Sequence, residues 1–259
     1  MSLIGLIQSR TWLAGFGVLF LGTSLVAGVY ARRARLVVSS AAVSIEGHSI
    51  DSLNIANLRR RVNKSLVIQE ANHVATIRGQ DLQVSWNYAG YCRAETEASM
   101  EFSIDADNNV PFDALECFAY DLECDPYKQH KIKPLLVGTD GISKKIAVPF
   151  LRPLGSEQRF RILLQCELRG CIKPGFGYFT STLSFQQDQI RRYSVRLVFL
   201  GDGPDWLRVY ECGVSGAAKL LKEMRPTLPV PGRVEYIDTA ADINGQSARI
   251  YVFRRPPPR

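Results

Sequence analysis

The sequence predicts a mainly β protein: an antiparallel β-sandwich or barrel, carried behind a single N-terminal transmembrane α-helix, with one short helix late in the chain. Three observations predict it. A run of 21 uncharged residues lies near the N-terminus, and period-two hydrophobic patterns recur through the rest of the chain. Glycine, proline and aspartate sit between those patterns, where turns need them.

The uncharged run covers residues 11–31, TWLAGFGVLFLGTSLVAGVYA. As an α-helix it would span roughly 31 Å, close to the ~30 Å hydrocarbon core of a bilayer. Trp12 and Tyr30 lie just inside its two ends, where amphipathic rings favour the head-group region. Arg10 closes one end and Arg32, Arg33 and Arg35 the other, which makes these six the expected membrane-interface residues. The run is longer than a signal-peptide core, and its basic cluster follows it instead of preceding it. An uncleaved anchor is therefore preferred to a cleaved secretory signal. Arginines concentrated on the C-terminal flank place the large domain in the cytoplasm by the positive-inside rule, at the inner membrane if the chain is bacterial. Gly22, Ser24 and Gly28 offer a small-residue face on which spans can pack, so a homo-oligomer is one reading. Glycine is also simply common in membrane helices, and both readings stand.

The layout that follows is a short tail over 1–10, the helix over 11–31, a basic connector over 32–65, a β domain over 66–253 and a Pro/Arg tail over 254–259. Residues 36–50 look extended and end in a Gly47-His48 turn, and Ser52 is suited to cap a short helix. Leu82, Val84, Trp86 and Tyr88 alternate with polar residues, as do Met100, Phe102 and Ile104. Further strands are expected over 115–122, 144–151, 157–169, 177–185, 193–200 and 205–211, with a last pair over 233–238 and 247–253. Turns fall at Asp140-Gly141, Pro153–Gly155, Pro174-Gly175 and Gly201–Pro204. Ser215 is placed to cap a helix over 217–224, which Pro226 would stop.

The net charge of +7 is carried by the ends of the chain. All 25 acidic residues lie after position 35, and the basic excess sits beside the span, in the Arg59–Arg61 run and in the tail. A nucleic-acid partner is thus not expected, because such domains carry their basic stripe on the folded surface. The expected partners are the lipid bilayer and a protein or small-molecule signal.

The six cysteines, Cys92, Cys117, Cys124, Cys166, Cys171 and Cys212, contain no C-x-x-C pair and so no zinc signature. Cys166 falls on the apolar side of its strand, and reduced core thiols are favoured over three disulfides; a Cys166–Cys171 pair across Gly170 is the alternative in an oxidising compartment. His48, His73 and His130 share no spacing that brings two together, and no nucleophile elbow, phosphate loop or zincin motif occurs. Asp121, Glu123 and Asp125 alternate and can be read as cation ligands or as a solvated strand end; Asp105 and Asp107 read first as a turn. No catalytic residue, cofactor or metal site is therefore expected. The functional expectation is a non-enzymatic, membrane-anchored recognition or sensor module. The alternatives are a membrane effector whose spans cluster on signal binding, as in bacterial antiviral systems, and an exported, disulfide-bonded envelope protein.

Overall fold

Strands account for nearly all the regular structure in the computed structural model, which describes residues 43–50, 63–105, 111–140, 143–182, 189–213, 215–243 and 247–255. The chain divides into two units, Met1–Ala41 and Ala42–Arg259, and the described residues all belong to the second. The expected membrane helix, with Arg10, Trp12, Gly22, Ser24, Gly28, Tyr30, Arg32, Arg33 and Arg35, lies outside the described residues. So do the Ser52 helix and residues 256–259 of the expected Pro/Arg tail, while Arg254, expected in that tail, is the last residue of a paired strand. Among the described residues, no helix is long and apolar enough to cross a membrane.

In chain order the strands are β1 (Val43–Ile45), β2 (His48–Ile50), β3 (Leu66–Arg78), β4 (Asp81–Cys92), β5 (Glu97–Asp105), β6 (Glu116–Asp121), β7 (Leu135–Asp140) and β8 (Ser143–Leu154). They continue as β9 (Arg159–Leu168), β10 (Phe176–Thr182), β11 (Arg192–Leu200), β12 (Trp206–Gly213), β13 (Ala218–Met224), β14 (Leu228–Val230), β15 (Arg233–Ala240) and β16 (Ser247–Arg254). A seven-stranded sheet runs β14-β15-β11-β3-β4-β9-β6. A four-stranded sheet runs β10-β16-β12-β13 and a three-stranded one β5-β8-β7.

The two smaller sheets both pack on one face of the large one. That face carries Ala71, Ala75 and Ile77 of β3, Val84 and Tyr88 of β4, Ile162 and Leu164 of β9, and Val195, Leu197 and Phe199 of β11, all buried. Phe199 meets Phe253 of β16 edge to face, with ring centroids 5.1 Å apart. On the other half of the sheet Tyr88 meets Phe102 of β5, and Phe160 of β9 meets Phe150 of β8. The β1–β2 hairpin lays Val43, Ile45 and Ile50 over the far side of the four-stranded sheet, against Tyr210, Cys212, Ile250 and Val252.

Three expectations are corrected. Residues 217–224, expected as a helix, form β13, paired antiparallel with β12 from Cys212↔Ala218 to Leu207↔Met224. Their composition favours a helix, but β12 offers an open hydrogen-bonding edge, and five consecutive side chains of β13 stay exposed. Ser215 stands in the β12–β13 turn, not at a helix cap. The pairing is not wholly antiparallel: β11 runs parallel to β3, from Arg192↔Glu70 to Leu200↔Arg78. Finally, Cys117 and Cys166 are disulfide-bonded. They face each other directly on β6 and β9, with Cα atoms 4.3 Å apart, the close approach of a non-hydrogen-bonded antiparallel position. Cys92, Cys171 and Cys212 are buried thiols, and Cys124 is an exposed one.

Gly79 opens the two-residue turn that sends β3 back as β4, and its φ of 57° is the left-handed value such hairpins require. Gly90 answers a different constraint. Where β3 bulges between Ile68 and Glu70, its backbone leans onto β4, and a Cβ at Gly90 would fall on the Val67 carbonyl. Gly90→Ala is expected to destabilise the domain by about 3 kcal/mol, the upper range of overpacking, because backbone cannot move aside as a side chain can. Chemical denaturation of the full chain measures it, and a change below ~0.5 kcal/mol would refute the close approach.

Candidate functional site

Polar chemistry concentrates in two places, one largely buried between sheets and one open. Inside, between the seven- and four-stranded sheets, Asp238 of β15 is fully buried. Lys222 of β13 reaches it at 2.7 Å, and Arg249 of β16 at 2.8 Å. The Tyr251 hydroxyl donates to it at 2.7 Å. Burial pushes the Asp238 carboxyl up, but the hydrogen bonds from Lys222 and Tyr251 and the Arg249 charge outweigh it and hold the group below its ordinary value. A carboxylate only accepts, so Tyr251 gives it its one proton and must accept from Tyr193, whose hydroxyl lies 3.1 Å away. Tyr193 in turn bonds Ser181, and Ser181 Oγ lies 2.9 Å from His73 Nδ1. Each hydroxyl has one hydrogen, so the chain runs in one sense. His73 donates through Nδ1, and its Nε2, without a partner among the described residues, is a bare acceptor. Desolvation holds the His73 pKa down at about 3.

The open place is the β6 edge of the seven-stranded sheet. The sequence of β6, Glu-Cys-Phe-Ala-Tyr-Asp, turns Cys117, Ala119 and Asp121 toward the core side and Phe118 and Tyr120 toward the opposite face. Those two rings meet edge to face, 5.7 Å apart. Beyond them the chain loops out and returns, and two carboxylates brace it. Asp121 accepts the N–H groups of Cys124 and Leu151, and Asp125 accepts the N–H of His130. Asp121, Glu123 and Asp125, read from the sequence as cation ligands or as a strand end, are thus not brought together. The two aspartates are committed to backbone donors, and Glu123 is exposed. The bond from the His130 N–H holds the Asp125 carboxyl below its ordinary value. Among the described residues, no three His, Cys, Asp or Glu side chains stand close enough to share a metal ion.

The returning chain pairs with β6 at one point, Ala119↔Ile132, where both backbone bonds are 2.8 Å. In the continuing antiparallel register Cys117 would face Pro134, which has no N–H to give, so the ladder stops. A groove of about 370 Å³ opens there between Leu115–Phe118 and Lys131–Lys133. Lys131 Nζ sits 3.8 Å from the Phe118 ring centre, and Lys128 Nζ lies 5.7 Å from Tyr120. Exposed cation–π contacts of this kind are worth roughly 0.5–1 kcal/mol. The groove therefore offers the Lys131 and Lys133 ammonium groups, the Phe118 face and an interrupted strand edge, with Glu116, paired to Arg169, in its wall.

The three histidines lie apart: His48 stacks on Phe176 at 3.8 Å, His73 is in the core, and His130 is exposed beside Asp125. Trp206, after the Gly201–Pro204 turn, packs partly buried against the second hydrophobic cluster. The sequence signal for the groove was present in Tyr127–Val137, YKQHKIKPLLV, which holds three lysines and no acid. It reads as a solvated loop because the aromatic partners lie earlier in the chain, on β6.

No family model and no curated protein matches this chain. Solved structures similar to it include the M1 zinc metallopeptidase from Deinococcus radiodurans, at 12% identity and a TM-score of 0.47, over 74% of this chain and 43% of that one. A protease candidate from Parabacteroides distasonis is 9% identical with a TM-score of 0.47, over 74% of this chain and 41% of that one. The chain thus spans less than half the length of these structures, and the likeness assigns neither family nor activity.

The buried histidine makes a prediction. His73 stays neutral in the fold but takes up a proton near pH 6.5 once unfolded, so stability falls as pH drops below 6.5. The expected loss between pH 7.5 and 5.5 is about 1.4 kcal/mol, and His73→Gln should abolish that part of it. Urea midpoints of both chains at the two pH values test this; an equal pH dependence in both would show His73 to be accessible to protons in the fold.

Proposed function

We propose that this chain is a membrane-tethered, non-enzymatic recognition module whose β domain binds an acidic, extended segment of a partner at the β6 edge. The observation that carries the reading is the groove where Pro134 halts the pairing of Ile132 with Ala119, with Lys131 poised over Phe118 beside it. The broken ladder leaves the Cys117 carbonyl to accept from an incoming strand, its own N–H being held by the Leu115 carbonyl, and the lysines select for negative charge. The tether rests on the 21 uncharged residues of the sequence and their arginine and aromatic ends. A second reading differs in compartment. The Cys117–Cys166 disulfide favours an exported domain, since disulfides persist in oxidising compartments and are rare in the cytosol.

Fluorescence polarisation of a fluorescein-labelled oligoglutamate against the full chain tests the groove. Salt-sensitive binding is expected, weakened about tenfold (~1.4 kcal/mol) by Lys131→Glu or Phe118→Ala. Equal binding by the wild type and Lys131→Glu would sink the site. Alkylating thiols in intact cells before non-reducing electrophoresis tests the compartment. The exported reading expects two of the six cysteines to escape modification until reduction, and modification of all six in unfolded protein without reductant would overturn it.

A further inference from the structure

We propose that the ridge Tyr127–Val137 is a second membrane contact, docking the β domain onto a bilayer that bears anionic head groups; this rests on the tethered reading above and names the surface that faces the lipid. From Tyr127 to Val137 the chain holds three lysines and a histidine and no acidic residue. Of the eight large apolar side chains that stand exposed among the described residues, four lie in this ridge: Tyr127, Leu135, Leu136 and Val137. A fifth, Leu151, borders it, because its N–H is held by Asp121 at the foot of the loop. Water-exposed apolar groups beside unopposed lysines are the composition of a surface that sits at a head-group boundary, with an aromatic ring at its tip.

The ridge has a fixed shape. Ile132 is buried and bridged to Ala119, Pro134 is buried, and Asp125 holds the His130 N–H. Lys131 and Lys133, which alternate with these two buried residues, must therefore point outward. β7 then forms the outer edge of the three-stranded sheet.

Two features favour lipid over a protein partner on β7. Leu135 and Leu136 are successive strand residues and project to opposite faces, yet they are 60% and 45% exposed. A folded partner packs on one face, whereas an acyl and head-group boundary takes in an edge from both sides. The register shift between Leu136 and Gly138 also breaks the even spacing that an added strand or a second copy would need.

The test uses the full chain, with Cys124→Ser removing the exposed free thiol and Leu136→Cys carrying an environment-sensitive NBD label. It is reconstituted in vesicles of phosphatidylcholine alone, or of phosphatidylcholine mixed with phosphatidylglycerol. A blue-shifted, brighter label is expected in the mixed vesicles. The effect should be absent from the same label at Leu220→Cys on the β13 edge, and at least halved by Lys128→Glu with Lys133→Glu. No shift at position 136, an equal shift in neutral vesicles, or a shift that follows protein concentration without lipid would each overturn the proposal; the last would mark a protein contact. Alkaline carbonate extraction of the same vesicles reports on the tether separately. A chain that resists extraction while its label stays in water keeps the tether and loses the docking. A chain that is extracted, after floating with anionic vesicles and a shifted label, keeps the docking and loses the tether.

Discussion

The charge of Asp238, buried between two sheets, constrains more of this domain than any other single group. An isolated carboxylate there would be costly, and removing one partner of such a pair typically costs about 3–5 kcal/mol. Its neutralisation draws Lys222 from β13 and Arg249 and Tyr251 from β16, so three side chains of the four-stranded sheet are fixed against β15 of the seven-stranded one. The same acceptor orders the hydroxyls beyond it. Tyr251, Tyr193 and Ser181 each have one proton to give, and the run of donors ends at His73 on β3. Because His73 lies opposite Val195 in the parallel β3–β11 ladder, and Val195 opposite Asp238 in the β11–β15 ladder, both ends of the polar chain sit in one row of the large sheet. Apolar packing brings the sheets together; this network fixes how they are aligned.

Much of the strand content was legible because one face of most strands is buried and the other wet. Leu82, Val84 and Tyr88, or Phe160, Ile162 and Leu164, announce themselves by alternation. β3 was less visible for a physical reason: its inward residues at 71, 73 and 75 are alanine, histidine and alanine, kept small or polar by the crowded centre of the sheet and the inter-sheet network. β13 misled in the opposite way. An edge strand with almost no buried face has no periodicity to show, so the helix propensity of Ala, Leu, Lys and Glu, framed by Ser215 and Pro226, was the local signal. The parallel β3–β11 pairing and the Cys117–Cys166 bond join positions far apart in the chain, and no local pattern encodes such partners.

The candidate site was legible only in fragments. Asp121 and Asp125 stood out as acidic residues, but their role is to hold the N–H groups of a loop that makes just one bridge to β6. Nothing in the sequence sets Lys131 apart from the other lysines; the fold does, by placing Phe118 beneath it. The alternation of exposed Lys131 and Lys133 with buried Ile132 and Pro134 was the one local cue, since a solvated loop has no reason to bury every second residue.

The open edges of the sheets sharpen the reading of that region. Proteins guard exposed strand edges with proline, lysine, bulges and short pairing, and the β7 bulge between Leu136 and Gly138, with Pro134 just before the strand, fits that description. Protection alone, however, would favour polar residues on β7 as well. Three consecutive apolar side chains on a guarded edge, Leu135 to Val137, run against it. On β13, by contrast, Leu220 and Leu221 are flanked by Lys219 and by Lys222 and Glu223, the last two paired to Asp238 and Arg208. The β7 edge is thus closed to another strand while its apolar groups stay available. That combination suits a partner without backbone hydrogen bonds to offer, and a bilayer surface is such a partner.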